Sequence, residues 1–153
     1  MKKIITIAAI LLATLTTSSH AADNSGWARR QGPVARIGIG TPASFELGAG
    51  YQFSPNFVLT VDAFSYSGLT AMSGIADARY YFLDKDFTPF IDMKAGYGVL
   101  GKNLENQSVF GAVEALSAGV SWKALDLSAG FIHDSFHGIE YSLNLTWTIR
   151  FRR

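Results

Sequence analysis

From Ile139 to Phe151 the chain alternates without a break. Ile139, Tyr141, Leu143, Leu145, Trp147, Ile149 and Phe151 are apolar or aromatic, and Glu140, Ser142, Asn144, Thr146, Thr148 and Arg150 between them are polar. A period of two is the signature of a strand whose two faces meet different surroundings. Soluble strands average roughly 5–6 residues, and this one runs for about thirteen. A strand crossing a bilayer at a tilt needs about 9–11 residues. One face on lipid and the other on a polar interior would give this alternation.

The same reading divides the rest of the chain. Strands are predicted over roughly 34–41, 44–53, 57–66, 72–82, 87–100, 109–122, 124–134 and 139–151. The fold class is therefore all-β, an eight-stranded antiparallel up-and-down transmembrane barrel, since closed membrane barrels of this kind have even strand numbers. Tight connections at Ser54-Pro55-Asn56, Leu83-Asp84-Lys85-Asp86 and Lys123-Ala124 fall on one side. Ser67 to Ala71 and Gly101 to Ser108 are longer and fall on the other, with the short links Thr41-Pro42-Ala43 and Phe136-His137-Gly138.

Parity assigns the faces. Arg36, Glu46, Asp62, Asp77, Arg79, Asp92, Lys94, Glu140 and Arg150 point inward. An eight-stranded barrel is just wide enough for its own side chains to fill, so these charges should pair with one another. The repeated Ala-Gly pairs at 49–50, 95–96, 118–119 and 129–130 put alanine outside and glycine in the narrow interior. Tyr51, Phe53, Phe57, Tyr80, Phe82, Trp122, Tyr141, Trp147 and Phe151 point outward near strand ends, where aromatic girdles belong.

The N-terminus supplies a route to such a place. Lys2 and Lys3 precede an apolar run from Ile4 to Leu15 and the small-residue motif Ser19-His20-Ala21. This reads as a signal peptide over 1–21, followed by a polar lead-in over 22–32 and the barrel over 33–153. The apolar run is too short to span a bilayer as a helix. There is no cysteine, which excludes a lipoprotein anchor, disulfides and thiolate metal sites. Without Lys2 and Lys3, 11 basic residues stand against 12 acidic. That balance offers nucleic acid no basic stripe. Two histidines beyond the signal leave no metal set, and the glycines lie in strand patterns rather than phosphate loops, so no cofactor is expected.

The signal peptide, the eight strands and the tail Leu145-x-Trp147-x-Ile149-x-Phe151 resemble the small outer-membrane β-barrel proteins of Gram-negative bacteria, of the OmpA and OmpX kind. The tail resembles the signal read by the barrel-assembly machinery, although here Arg152 and Arg153 follow the phenylalanine. The resemblance implies a cell outer-membrane location, a monomer, and outer-membrane lipids and lipopolysaccharide as partners. The implied role is structural or interactive and non-catalytic. A narrow channel is a weaker alternative, disfavoured by the inward charges.

One local motif points to chemistry. His133-Asp134-Ser135, a hairpin, and Gly138-Ile139-Glu140 resemble the lipid A 3-O-deacylases (PagL-like), barrel enzymes with a Ser-His-Glu triad on the outer surface. Carried over, Ser135 is the nucleophile, His133 the base and Glu140 the acid that orients it. That family has an asparagine straight after the serine, where this chain has Phe136. Parity offers a second acid. A two-residue turn at Lys123-Ala124 would pair Trp122 with Leu125 and, counting back, Glu114 with His133. Glu114 would then face outward beside His133, while Glu140 faces the lumen. His137, in the turn, is expected to be solvent-exposed.

Overall fold

The computed structural model describes residues 31–66, 71–102, 106–135 and 137–151. The expected signal peptide, most of the lead-in, part of two connections, Phe136 and the final Arg152-Arg153 lie outside the described residues.

Eight strands run in chain order: β1 (Gly32–Thr41), β2 (Ala43–Ser54), β3 (Phe57–Tyr66), β4 (Ala71–Tyr81), β5 (Phe87–Lys102), β6 (Ser108–Trp122), β7 (Leu125–Asp134) and β8 (Gly138–Arg150). Each pairs antiparallel with its neighbours, and β1 pairs with β8 from Val34↔Arg150 to Thr41↔Leu143, which closes the barrel. Closure leaves no ladder edge with unpaired N–H and C=O groups, the requirement that hydrocarbon imposes on a sheet.

The connections sort as the pattern implies. At the tight-turn end, Ser54 Oγ accepts from the backbone N–H groups of Asn56 and Phe57 and fixes the β2–β3 turn. In the β6–β7 turn Lys123 takes a positive φ of 56°, which lets two residues reverse the chain. At the loop end β8 opens on Gly138 with φ 86°, a conformation open to residues without a Cβ.

The β5–β6 hairpin rises beyond its neighbours. β4 leaves β5 at Ser73↔Gly98 and β7 leaves β6 at Val113↔Asp134, yet β5 and β6 stay paired to Lys102↔Ser108. Above the rim they form a two-stranded ribbon.

The interior is layered along its axis. Near the loop end Phe64, Ile75, Val113 and Ile132 pack together, and near the turn end Val34, Val58, Tyr81 and Phe90 do the same. Between these apolar layers lie Arg36, Asp62, Asp77, Arg79, Asp92, Lys94 and Asp126, each 6 % exposed or less. Outside the relation is reversed, with Leu47, Val61, Leu116, Leu127, Tyr141 and Trp147 between 47 % and 82 % exposed.

Candidate functional site

The lumen charges form one connected network. Arg36 reaches Asp77, Asp62 Oδ2 at 3.4 Å and Glu46 Oε1 at 3.2 Å. Lys94 Nζ lies 2.6 Å from Glu46 Oε2 and 3.6 Å from Asp77. Arg79 continues the chain to Asp92 at 2.8 Å and Asp126 at 2.6 Å, with its guanidinium 4.3 Å from the centre of the Phe90 ring. Hydroxyls fill the gaps: Thr60 Oγ1 donates to Asp62, Thr148 Oγ1 to Asp126 and Ser117 Oγ to Asp92.

Local sequence explains how such a crowd fits. At Gly48 a Cβ would occupy the space taken by the Asp62 carboxylate, so the absence of a side chain there makes room for the acid. Carboxylate oxygens of Glu46, Asp62 and Asp77 lie within 4.8 Å of one another, the kind of cluster that holds a cation. The cations present among them are the protein's own Arg36 and Lys94. The network is thus a charged filling between two apolar layers.

Of the inward charges expected from the pattern, seven are buried, and Glu140 and Arg150 are half-buried on the same face. Two more were not singled out. Asp126 and Asp134 are each 2 % exposed, and the parity of Leu127, Ala129 and Phe131 already placed them inside. Asp126 ties β7 into the network. Asp134 caps the β7–β8 turn, accepting from the backbone N–H of His137 and lying 3.0 Å from its Nδ1. His137 is therefore held by a buried carboxylate while part of its ring stays exposed, 38 % for the side chain.

The candidate outward site is at the loop end. Trp122 pairs with Leu125, and the register runs back to Glu114 opposite His133. Both side chains are exposed on the outer wall. Ser135 is exposed in the turn just beyond, its N–H donating to the Ala112 carbonyl at 3.3 Å. Glu140 is not part of this group. It pairs with buried Ile132, and its half-buried side chain belongs to the lumen face. The set Ser135, His133 and Glu140 is corrected accordingly: a strand's alternating faces put the acid and base on opposite sides of the wall. The structure sets Glu114 opposite His133, with Ser135 in the turn beyond.

Glu114 and His133 stand out against the wall around them. The other exposed strand positions whose side chains are described carry Ala, Pro, Val, Ile, Leu, Met, Phe, Tyr, Trp or Gly74, apart from Thr41 and Ser108 at loop-end strand tips. No side-chain hydrogen bond or ion pair joins Glu114 or His133 to another described residue. From Leu125 to His133, β7 rises about 27 Å along its length at ~3.4 Å per residue. A barrel tilt of ~40° reduces this to a height of about 20 Å, nearly the ~25 Å apolar band of an outer-membrane barrel. The pair therefore lies at the upper border of the apolar belt.

Comparison with known proteins gives the fold a structural neighbour. The crystal structure of the N-terminal β-barrel domain of Pseudomonas aeruginosa OprF superposes with a TM-score of 0.52 at 12 % identity, covering 78 % of this chain and all of that one. The likeness is one of fold. No family model matches the sequence, and no curated protein does. The local resemblance to lipid A deacylases finds no support in these comparisons.

Proposed function

We propose that this chain is an integral outer-membrane β-barrel whose tight-turn end faces the periplasm. Its lumen is closed to solutes, and its work is done by its outer surface, as an envelope component in contact with lipopolysaccharide or a partner. The observation that carries this reading is the inverted wall, a closed ladder with an almost unbroken apolar exterior around a buried ion network. In water such an exterior would be one large exposed hydrophobic patch; in a bilayer it is solvated. Heat-modifiable migration of the detergent-extracted protein tests it. A folded band that shifts on boiling supports the barrel, and a compact monomer in buffer without detergent would end it. The filled lumen supports a second expectation, blank traces in planar bilayers; steady conductance would revive the narrow-channel alternative.

One observation favours a second reading, an acyl-ester hydrolase acting on lipid A. Glu114 and His133 are directly opposed on the outer face, with Ser135 two residues along. Opposed Cβ atoms lie about 4.5–5.5 Å apart, close enough for a carboxylate to orient an imidazole. His133 would then take the Ser135 proton as the serine oxygen attacks the ester carbon, and return it to the departing alcohol. Mass spectrometry of lipid A decides: shortened acylation that disappears in Ser135→Ala and His133→Ala supports it, and unchanged lipid A on overexpression removes it.

A further inference from the structure

We propose that Glu114 and His133 form a binding site for the phosphoethanolamine headgroup of a membrane lipid. The inference rests on the bilayer-spanning reading above and adds a ligand to it.

Position is the first argument. These are the two polar side chains interrupting the outward wall of the described strands below its loop-end tips, and the register makes them neighbours. Two independent lapses in an apolar pattern would have no reason to fall opposite each other. Both lie near the headgroup level, where a polar side chain on the lipid face costs about 0–1 kcal/mol. The wall tolerates them there, and tolerance alone does not explain the pairing.

Surroundings are the second. Ala95 lies directly across from Glu114 on β5, and Ala112 is its neighbour along β6, so the wall beside the carboxylate is low. Exposed Tyr97 stands on one flank, and Phe131 and Tyr141, with rings 5.2 Å apart, stand on the other. The outline is a shallow notch between aromatic walls with two unpartnered polar groups at its border.

Chemistry names the ligand. A carboxylate beside an imidazole presents a charged acceptor and an N–H donor. A phosphoethanolamine headgroup presents a primary ammonium and a phosphate joined by a two-carbon linker. Its two charges are about as far apart as side chains directly opposed across two strands. Glu114 accepts hydrogen bonds from the ammonium, and the His133 N–H donates to a phosphate oxygen. An anionic headgroup without an amine would meet Glu114 as a like charge. A choline headgroup has no N–H to donate to it. The headgroup could come from a glycerophospholipid or from a lipid A that bears phosphoethanolamine.

The test uses the full mature chain, refolded in detergent and then in bilayer discs of equal phosphatidylethanolamine, phosphatidylglycerol and phosphatidylcholine. Native mass spectrometry reads which lipid stays bound. Several-fold preferential retention of intact phosphatidylethanolamine, abolished in Glu114→Gln and reduced in His133→Ala, is the expected result. A parallel disc with lipid A, with or without phosphoethanolamine, separates the two sources; retention that tracks the headgroup on either carrier supports the site. Equal retention of the three phospholipids, or preference unchanged in both variants, overturns it. Release of free fatty acid would reassign the pair to hydrolysis and also overturn it. A folded, heat-modifiable barrel without lipid preference sinks the site alone, whereas a chain that never gives the folded form sinks the membrane reading beneath it.

Discussion

The two sides of this wall make opposite demands on the same backbone. Inside, Arg36, Arg79 and Lys94 are buried among five carboxylates, and their tolerance depends on every partner being present. Outside, side chains such as Ile139 and Leu143 are 74 % and 55 % exposed, with few partners to lose. A substitution inside should therefore propagate through partners, while one outside should depend only on depth. The contrast also explains why strand length, rather than core size, was the informative quantity in the sequence.

The sharpest way to break the comparison is to remove a hub. Arg79→Met keeps much of the packing volume over Phe90 but strips the cation from Asp92 and Asp126. Breaking a buried pair from one side costs about 3–5 kcal/mol, because a charge is left buried alone. Urea titration of the barrel in lipid vesicles should show a loss of that size. A further Asp92→Asn, Asp126→Asn pair should recover a large part of it, and failure to recover would mean that Arg79 acts by packing alone.

Depth provides the next effect. Ala129 lies midway up β7 on the outer face, and Ile139 lies level with His133 near the upper border. Ala129→Arg should cost about 2–4 kcal/mol and Ile139→Arg about 0–1, following the depth profile of a lipid-facing wall. Equal costs in the same urea titration would mean that the apolar belt is not in a bilayer. Between the two sides stands Gly48→Ala, whose methyl group must displace the Asp62 carboxylate. Overpacking of this kind costs typically about 1–3 kcal/mol. Asp62→Ala carries its own loss, since it takes a carboxylate from Arg36, but adding Gly48→Ala in that background should cost much less than in the native chain, because the methyl then has room.

Much of this architecture was legible because it is periodic. The β8 alternation fixed a wall with two faces, and counting back from Lys123-Ala124 placed Glu114 opposite His133. Every predicted strand has its counterpart, with ends shifted by one or two residues, as at Lys102. Asp126 and Asp134 were equally readable by parity but call for the partners to be seen before they matter. What period two does not encode is irregularity. A register shift between Ala43 and Phe45 puts an extra residue into β2 at the loop end, and Ser65, opposite outward Phe45, is 2 % exposed where alternation predicts an open side chain. Nor does it encode which hydrogen bonds a turn residue makes: the Asp134 cap on His137 depends on a carboxylate reaching around three residues of turn.

The smallest effect is the most discriminating. Replacing Glu114 and His133 together with leucine extends the apolar wall to the loop end and removes no described hydrogen bond or ion pair. At the border of the belt the change in stability should stay within about 1 kcal/mol. A structural pair would reveal itself by a larger loss, because its removal would uncouple β6 from β7. A stability left nearly unchanged means that folding does not require these two polar residues at this place. Their presence would then have to be explained by what meets the wall from outside, and the lipid-facing surface, rather than the filled lumen, would hold this barrel's specificity.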